Sequence, residues 1–447
     1  MSPSASPLIS RTRIFPETTD INDQNHLVIG GCDIVDLAAQ FGTPLYLFDE
    51  ATLRGQCAAY REAFRRRYQK SQVVYASKAY INRALAQLFQ QEGLGLDVVS
   101  AGELAIADSV GFPLDRVYFH GNNKGPDELR FALERGLGTV VVDNFHELET
   151  FDRIAGELGT TATIMLRVSP GVDPHTHHHT TTGILDSKFG FPIQTDAAEE
   201  AVIRGLKAPH LNLTGLHIHL GSPIFELEPF QQGIAVTLDF ARKMQDRHGL
   251  QLEQFSPGGG FAIQYLSDAP APTIEDYADA IVSTLLEELG RHHLPEPLLI
   301  LEPGRSIVGR AGVAVYSVGS SKTIPNVRKY VSVDGGMADN IRPAIYGSQY
   351  EAVVANRVEA DRRETVTIAG KYCESGDILI RDIALPVLSP GDLIAIPASG
   401  AYCLSMASNY NAALRPPIAL VANGRSRLIR RRETFEDLMR TDLPLEA

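Results

Sequence analysis

The lysine at position 78 closes a short run of strand-forming residues, VVYASK at 73–78. A lysine at the end of a strand can act as a nucleophile and form a Schiff base with a carbonyl cofactor. Far downstream follow a triple glycine at 258–260, the tetrapeptide EPGR at 302–305 and the loop CESGD at 373–377. A single lysine of this kind is most often a solvated residue at the rim of a site. The four features therefore indicate a cofactor site only when they are taken together.

A phosphate group could be held by backbone N–H groups at the triple glycine. Because Gly258, Gly259 and Gly260 have no side chains, the backbone there can approach an anion closely. Arg305 and Ser222 could add a charge-assisted and a hydroxyl hydrogen bond to the same phosphate. By itself, a triple glycine is most often only a flexible turn.

The remaining candidate residues concern a pyridine ring and a proton. Glu302 could bond a pyridine nitrogen and keep it protonated, which makes the ring a strong electron sink. His219 could lie over the face of that ring. Cys373 stands among polar neighbours, and its thiol could return a proton to a carbanion. With Lys78 as the point of covalent attachment, these residues predict a pyridoxal phosphate site suited to decarboxylation.

The elements that must position these residues alternate between strands and helices through the first two thirds of the chain. Ser100 and Glu103 form a capping-box pattern that predicts the start of one helix. Eight strand–helix units in about 250 residues are typical of a (β/α)8 TIM barrel. Other helices are predicted at 81–92, 145–157, 228–246 and 275–289. The eight predicted strands are 73–78, 95–99, 116–120, 139–143, 163–168, 213–219, 253–256 and 298–302.

Polar residues stand at the ends of these predicted strands, where they would contribute little to packing. A TIM barrel carries its active site at the C-terminal ends of its strands, and often a phosphate site after strands seven and eight. The triple glycine follows the seventh predicted strand, as that rule requires. We therefore expect the strand-end residues to converge on one site. They are Lys78, Asp97, His120, Arg167, His219 and Glu302.

A change of pattern after about residue 306 predicts a second domain. Helical periodicity becomes rare there, and short β runs alternate with turn residues, which favours an all-β domain of the sandwich or barrel type. Residues 10–45 also read as short strands and are expected to join it. The predicted limits are 1–45 for the leader and joining strands, 46–305 for the barrel and 306–447 for the β domain. The β runs are 311–318, 328–334, 365–369, 392–397 and 417–421.

The composition of the 447-residue chain is that of a globular protein, with 44% hydrophobic and 21% charged residues. The net charge of −13 argues against nucleic acid or an anionic membrane as the main partner. No apolar run reaches the roughly 18 residues that a membrane span needs. The four cysteines form no C-x-x-C pair, so free thiols in a reducing, cytoplasmic setting are expected. The Ser-rich N-terminus predicts a short leader rather than a targeting peptide.

A histidine-rich tract raises the question of a metal. Histidines in such a tract can bind zinc, but Asp173 is the one acidic residue at suitable spacing and no cysteine accompanies it. We therefore predict no metal site in this chain. The tract comprises His175, His177, His178 and His179.

The motifs taken together resemble the fold-type III pyridoxal phosphate decarboxylases, and most closely the diaminopimelate decarboxylase family. The resemblance runs from about residue 25 to residue 440, with the blocks in the family's order. It implies an alanine-racemase-like barrel with a C-terminal β domain, working as a homodimer with shared active sites. The blocks are YASKAY, DVVSAGEL, FHGNNK, SKFG, GLHIHLGS, PGGGF, EPGRSIVG, VDGGMADNIRPAIY, CESGD and GAYCLSMASNYN.

The resemblance also implies roles for individual residues. Lys78 matches the lysine that holds the cofactor, His219 the histidine that stacks on its ring, and Glu302 the partner of its nitrogen. Cys373 matches the proton donor, which comes from the partner subunit. Further implied cofactor contacts are Asp97, Ser222, Gly258, Gly259, Gly260, Arg305 and Tyr402. Implied substrate contacts are Arg305, Arg342, Tyr346, Glu374 and Tyr402.

The reaction that the family implies is conversion of meso-2,6-diaminopimelate to L-lysine and CO2, the last step of lysine synthesis. The distal end of that substrate carries an ammonium and a carboxylate, which Glu374 and Arg342 could bind. A decarboxylase acting on ornithine, arginine or a carboxy-polyamine is the first alternative, and the arginine in IRPAIY disfavours a diamine-forming enzyme. The second alternative is a non-catalytic relative that binds pyridoxal phosphate. A racemase is disfavoured because Glu302 favours a protonated ring.

Overall fold

The computed structural model describes residues 14–173, 187–361 and 363–445, so the histidine tract at 175–179 lies outside the described residues. The strands of the N-terminal region and the barrel are β1 (Asp20–Ile21), β2 (Leu27–Ile29), β3 (Cys32–Asp33), β4 (Leu45–Asp49), β5 (Ser71–Ala76), β6 (Gly95–Val98), β7 (Val117–Phe119), β8 (Thr139–Val142), β9 (Ala162–Ser169), β10 (Phe191–Pro192), β11 (Leu211–His217), β12 (Gln254–Gly258) and β13 (Leu298–Leu301). The later strands are β14 (Gly312–Ile324), β15 (Arg328–Val333), β16 (Val353–Val354), β17 (Arg363–Ala369), β18 (Ile378–Pro386), β19 (Leu393–Ile396), β20 (Ile418–Ala422) and β21 (Arg425–Arg430).

The helices connect these strands. In chain order they are α1 (Ile34–Phe41), α2 (Glu50–Arg67), α3 (Arg83–Gln91), α4 (Ala101–Asp108), α5 (Pro126–Glu134), α6 (Phe145–Glu157), α7 (Asp196–Lys207), α8 (Glu228–His248), α9 (Ile274–His292), α10 (Arg305–Val308), α11 (Arg342–Tyr346) and α12 (Phe435–Met439). Within the described residues, no helix is both long and apolar enough to cross a membrane.

Eight parallel strands close into a barrel, in the order β9, β11, β12, β13, β5, β6, β7, β8, with β8 pairing back onto β9. This confirms the predicted TIM-type barrel, and each of the eight predicted strands overlaps one of these strands. Strands such as β8 are buried at every position, which explains why they read as continuous apolar runs rather than alternating ones.

The barrel is filled by side chains from several strands. Val74, Tyr118, Val141, Met165 and Ile300 form one buried cluster, and each comes from a different strand. A filled interior leaves the C-terminal strand ends as the place where a site can be built.

The start of α4 shows how the local sequence positions the strand ends. Ser100 is the N-cap, and its hydroxyl accepts a hydrogen bond from the Glu103 N–H at 3.3 Å. The Glu103 carboxylate accepts from the N–H of Val99 at 2.7 Å rather than from that of Ser100. The predicted helix start is confirmed, and the reciprocal bond of the capping box is shifted by one residue.

The chain divides into two compact units. One, the barrel unit, comprises Gln56–Ala262 and Ala271–Gly304. The other, the β-rich unit, comprises the described residues up to Gly55, Ile263–Pro270 and those from Arg305 onward. The domain limits inferred above at residues 45 and 305 stay a prediction.

The β-rich unit is built around a nine-stranded mixed sheet in which β4 lies between β14 and β20. Leu45 and Leu47 of β4 share a buried core with Val313 and Val315 of β14 and with Ala419 of β20. An early strand is therefore part of the late sheet, although most of it falls in the range 46–305 that was assigned to the barrel.

Strand β18 was not predicted from the sequence. Its centre contains Arg381 and Asp382, and Asp382 has a left-handed backbone conformation with φ +50°. The pairing with β17 shifts register between Val366 and Ile368. Because this irregularity interrupts the alternation of apolar and polar residues, the usual strand pattern is absent there.

Candidate active site

Lys78 lies in the single helical turn Ser77–Ala79 that follows β5, two residues beyond the strand end. Its side chain is exposed, and its amine makes no hydrogen bond or ion pair within the described part of the chain. Its positive charge nevertheless acts on the pKa values of Asp97, Glu103 and His120. The amine is therefore accessible to a reactant and sits among polar residues of the barrel mouth.

Glu302 directly follows β13 and is held at both carboxylate oxygens. Its Oε2 lies 3.1 Å from His217 Nε2, and its Oε1 accepts a hydrogen bond from Ser256 Oγ at 2.8 Å. His120 Nε2 lies 3.7 Å from Oε1. Burial raises the pKa of Glu302, but electrostatic interactions with the His217 and His120 rings and the hydrogen bonds with His217 and Ser256 outweigh burial and hold the pKa below its usual range. Glu302 is thus a buried, oriented carboxylate that stays ionised.

His217, which lies nearer to Glu302 than His120 does, was not predicted from the sequence. His217 is the last residue of β11 and is buried, whereas the predicted His219 lies two residues beyond the strand end. Its second nitrogen, Nδ1, has no hydrogen-bond partner among the described residues. The signal that could have found it is the spacing in GLHIH, because residues two apart in an extended segment project to the same side.

His120 and His219 are neutral imidazoles. Burial, above all, lowers the pKa of each well below the usual histidine value, and the charge of Lys78 lowers both further. The His120 ring meets the His217 ring edge-on at 4.8 Å between centroids. His219 Nδ1 accepts a hydrogen bond from the Gly259 N–H at 3.3 Å, which orients its ring.

Asp97, in β6, is a buried carboxyl group beside these histidines. Its Oδ1 lies 3.8 Å from His120 Nε2 and has no hydrogen-bond partner in the residues that the structure describes. Burial raises the pKa of Asp97 to about 8, and the charge of Glu302 adds to the increase while that of Lys78 opposes it. The folded protein therefore keeps a proton on Asp97 that the unfolded chain releases.

This difference predicts a pH-dependent stability for Asp97→Asn. Because the pKa of Asp97 is raised in the folded state, wild-type stability falls as pH rises from about 4 to about 8. Asparagine carries no such proton, so the variant should gain stability relative to wild type by up to about 1.4 kcal/mol per pH unit in that window. Thermal unfolding at several pH values measures the gain. Asp246→Asn, at an exposed carboxylate, is the control. A difference in melting temperature that stays constant with pH would contradict the assignment.

Crowded backbone explains why glycine stands at positions 259 and 260. A Cβ on Gly259 would lie 2.1 Å from the carbonyl oxygen of Glu302, and one on Gly260 would lie 2.2 Å from that of Gly221. Gly260 also has φ +101°, a conformation that only glycine adopts easily. The triple glycine is therefore a tightly packed turn rather than a flexible one.

The N–H groups of this turn are not equivalent. The Gly258 N–H donates to Ser256 Oγ at 3.0 Å, and the Gly259 N–H is used by His219. The Gly260 N–H has no hydrogen bond within the described ranges. Of the three amides predicted to hold a phosphate, that of Gly260 is therefore the one still available. Ser222 is exposed in the loop after β11.

A second group of predicted residues lies in the β-rich unit, around Tyr265. Arg305 Nη1 donates to the Tyr265 hydroxyl at 2.8 Å, and its guanidinium lies 4.7 Å from the centre of the Tyr402 ring. Arg342 is buried, with its guanidinium 4.7 Å from the centre of the Tyr265 ring. The structure thus brings Arg305, Arg342 and Tyr402 together.

The other predicted residues of this unit are exposed. Tyr346 ends α11, four residues after Arg342, with 63% of its surface accessible. Cys373 is exposed, and its loop is fixed by the bond from the Cys373 N–H to Asn411 Oδ1 at 2.9 Å. Glu374 is exposed as well, and it makes no ion pair with Arg342 within the described residues of this chain. Cys373 is therefore accessible as the polar sequence around it had indicated.

Cys373 lines a cavity of about 640 Å³ inside the β-rich unit. Charged residues of both signs contribute to its wall, including Lys371, Asp334 and Arg432. Cys373 thus borders a space large enough for an amino-acid side chain or a small molecule.

Metal-ligating side chains also meet in the barrel unit. Ligand atoms of His120, His217 and Glu302 lie within 4.8 Å of one another. Glu302 is already bonded there by His217 and Ser256. We interpret the cluster as a hydrogen-bonded support of the carboxylate, and the absence of a metal site stays a prediction.

Comparisons with known proteins agree on one family. Residues 50–309 match the family model described as pyridoxal-dependent decarboxylase, pyridoxal binding domain. The diaminopimelate decarboxylase of Bacillus subtilis is 45% identical over 430 residues, which are 96% of this chain and 98% of that protein. That of Synechocystis is 45% identical over 439 residues, covering 96% and 92% of the two chains.

Solved structures give the same result. The crystal structure of diaminopimelate decarboxylase from M. jannaschii superposes with a TM-score of 0.91 at 37% identity, covering 96% of this chain and 98% of that one. The same values hold for its complex with L-lysine. The lysine/ornithine decarboxylase of Vibrio vulnificus, at 24% identity and a TM-score of 0.74, shares the fold.

Proposed function

Since the chain belongs to the diaminopimelate decarboxylases, a family of pyridoxal-dependent carboxy-lyases, we propose that it converts meso-2,6-diaminopimelate to L-lysine and CO2. The observation that carries the reaction class is the ionised Glu302 fixed by His217 and Ser256. Production of lysine and CO2 from diaminopimelate by the cofactor-loaded protein tests the proposal.

The residues of the barrel unit fit pyridoxal phosphate as the cofactor. Lys78 offers an accessible amine, Glu302 an oriented anion and Gly260 an unused N–H in a turn that leaves room for no side chain. When bound, the cofactor supplies an electron sink for the negative charge left at the substrate Cα after CO2 departs. The fit rests on these groups and on the family to which the chain belongs.

Each residue then has a task that follows from its chemistry. Lys78 would hold the cofactor through its side-chain amine, which is a nucleophile toward a carbonyl carbon. Glu302 keeps a proton at the ring nitrogen, because an ionised carboxylate stabilises a pyridinium. His219 supports the ring, and Asp97 and Ser222 contact the cofactor. Cys373 returns a proton to the substrate Cα after CO2 has left.

The distal end of the substrate calls for one cation and one anion. Arg342 is a buried guanidinium with no carboxylate partner among the described residues, which suits it to bind the distal carboxylate. Glu374 suits the distal ammonium, and Tyr346, Tyr402 and Arg305 contact the substrate around them. A substrate that ends in an amino acid uses both charges, whereas a diamine precursor would leave the guanidinium without an anion.

Substitution of Arg342 tests this assignment. Arg342→Ala should lower kcat/KM for meso-diaminopimelate by about 10- to 100-fold, since a charge-assisted hydrogen bond contributes about 1.5–3 kcal/mol. Arg342→Lys should recover part of the loss, because an ammonium keeps the charge but not the planar fork. The control is Arg357→Ala, which removes a partly exposed arginine paired with Asp392 in the same unit. Unchanged diaminopimelate kinetics in Arg342→Ala would contradict the assignment.

We further propose a homodimer in which Cys373 and Glu374 of one subunit serve the Lys78 of the other. A mixing experiment tests this directly. Lys78→Ala and Cys373→Ala proteins should each be inactive alone, and mixing them should restore up to about a quarter of the wild-type activity, because one active site in four then carries both residues in random dimers. The control is a mixture of two separately prepared samples of the same variant, which should stay inactive. Failure to recover activity, with subunit exchange shown by differently tagged chains, would place both residues in one subunit.

The setting that fits this chemistry is the cytoplasm. None of the four cysteines forms a disulfide within the described residues, and Cys373 must remain a thiol to act as an acid. A reducing compartment keeps it so.

A further inference from the structure

One tyrosine, Tyr265, contacts two arginines of the β-rich unit, Arg305 and Arg342. Its hydroxyl accepts the 2.8 Å hydrogen bond from Arg305 Nη1. Its ring face carries the guanidinium of Arg342 at 4.7 Å from the ring centre, within the range of a cation–π contact. Tyr265 therefore makes two separate contacts: its hydroxyl binds Arg305 and its ring packs against Arg342.

A second tyrosine, Tyr350, fixes Arg342 from another side. The Tyr350 hydroxyl accepts a hydrogen bond from Arg342 Nη1, and its ring meets the Tyr265 ring at 90° with centroids 5.6 Å apart. Cys403 Sγ lies 3.6 Å from the same hydroxyl. Tyr350 and Cys403 are buried, so Arg342 is enclosed by aromatic rings, a hydroxyl and a thiol.

None of these enclosing groups neutralises the arginine. Burial raises the pKa of the Tyr350 hydroxyl well above its usual value and that of the Cys403 thiol to about 11, so both groups keep their protons at neutral pH. Arg342 has no carboxylate partner among the described residues. A guanidinium that is buried, oriented and uncompensated is suited to bind an anion that arrives with the substrate.

We propose that Tyr350 and Tyr265 are positioning residues that aim the Arg342 guanidinium at the distal carboxylate of the substrate. The proposal rests on the diaminopimelate decarboxylase function and adds two specificity-determining side chains to it. The Tyr350 hydroxyl accepts a hydrogen bond from one nitrogen of the Arg342 guanidinium, and the Tyr265 ring packs against the plane of that guanidinium. Loss of either contact keeps the positive charge of Arg342 in place but allows its planar guanidinium to rotate. This rotation weakens binding of the substrate carboxylate and does not affect the chemical step.

Three single variants of the holoenzyme test the proposal with meso-diaminopimelate as the probe. Tyr350→Phe removes the hydroxyl and should raise KM by about tenfold while kcat stays within about threefold. Tyr265→Leu removes the ring and should act in the same way. Tyr265→Phe keeps the ring beneath Arg342 and removes only the hydroxyl to which Arg305 donates, so it should raise KM less than Tyr265→Leu does. Tyr330→Phe, at a tyrosine that lies beside Arg328 instead, is the matched control.

A double-mutant cycle separates positioning from a general structural effect. In an Arg342→Ala background, Tyr350→Phe should raise KM no further, because the group that it positions is gone. The dissociation constant of pyridoxal phosphate, measured by titrating the apoprotein, should stay within about threefold of the wild-type value in Tyr350→Phe and in Tyr265→Leu.

Several results would overturn the proposal. These are an unchanged KM in Tyr350→Phe and Tyr265→Leu, a fall in kcat at constant KM, full additivity with Arg342→Ala, or a loss of cofactor affinity equal to the rise in KM. The wild-type protein is assayed in parallel. Its failure to turn over diaminopimelate would refute the proposed function itself, which is a distinct outcome.

Discussion

Replacement of Lys78 by alanine should lower kcat for meso-diaminopimelate on the order of 10⁴-fold, because the protein then lacks its covalent nucleophile. That factor corresponds to about 5 kcal/mol of transition-state stabilisation. The amine is exposed and makes no hydrogen bond or ion pair among the described residues, so little of the fold depends on it. We therefore expect the melting temperature to change little.

Lys78→Arg is the matched variant, because it keeps the positive charge near Asp97 and Glu103 but cannot attack a carbonyl. It should be as inactive as Lys78→Ala. Borohydride treatment of the cofactor-loaded wild type should attach the cofactor to the peptide that contains Lys78, as read by mass spectrometry, and should attach none there in either variant. Substantial activity in Lys78→Arg, or labelling of another lysine, would show that Lys78 is not the attachment point.

Replacement of Glu302 by glutamine should have the second largest effect, with kcat reduced on the order of 10²- to 10³-fold. The shape of the side chain is kept, so His217 and Ser256 retain a partner, and the change removes mainly the negative charge. A neutral amide cannot hold a proton at the ring nitrogen, and the electron sink weakens accordingly. The dissociation constant of the cofactor should rise as well.

Ser256→Ala provides the control for this variant. It removes one hydrogen bond to Oε1 but leaves the charge of Glu302, so kcat should fall by no more than about tenfold. Because the pKa of Glu302 is lowered, it stays ionised throughout the neutral range, and an acidic limb of kcat near neutral pH would have to come from another group. A Glu302→Gln protein with kcat close to that of Ser256→Ala would refute a role for the charge.

The barrel could be predicted from the sequence because parallel strands buried on both faces leave continuous apolar runs, as in TVVV of β8. The residues at which those strands end were predicted less accurately. Lys78 was placed within a strand, but β5 ends at Ala76, whose N–H bonds the carbonyl of Pro303. A strand end depends on its neighbours in the sheet, which local sequence does not contain.

The missed residues share one physical cause. His217 looks like any buried strand residue in the sequence, and only the folded barrel brings it into contact with Glu302, 85 residues away. Tyr265 and Tyr350 stand outside the recognisable motifs, and their importance comes from contacts with Arg305 and Arg342. Residues that touch the reactants leave a type and a spacing in the sequence. Residues that position the reacting groups can be recognised only by their contacts in the folded chain.

A substrate comparison with the pyridoxal phosphate-loaded protein would test the proposed function first. CO2 release and product formation are measured with meso-diaminopimelate, ornithine, arginine and L-lysine as parallel substrates. We expect selective turnover of diaminopimelate to L-lysine, because that substrate alone among the four has both an ammonium and a carboxylate at its distal end. Preferred turnover of ornithine, arginine or lysine would contradict the roles of Arg342 and Glu374. Absence of turnover, with the cofactor bound, would contradict the proposed function.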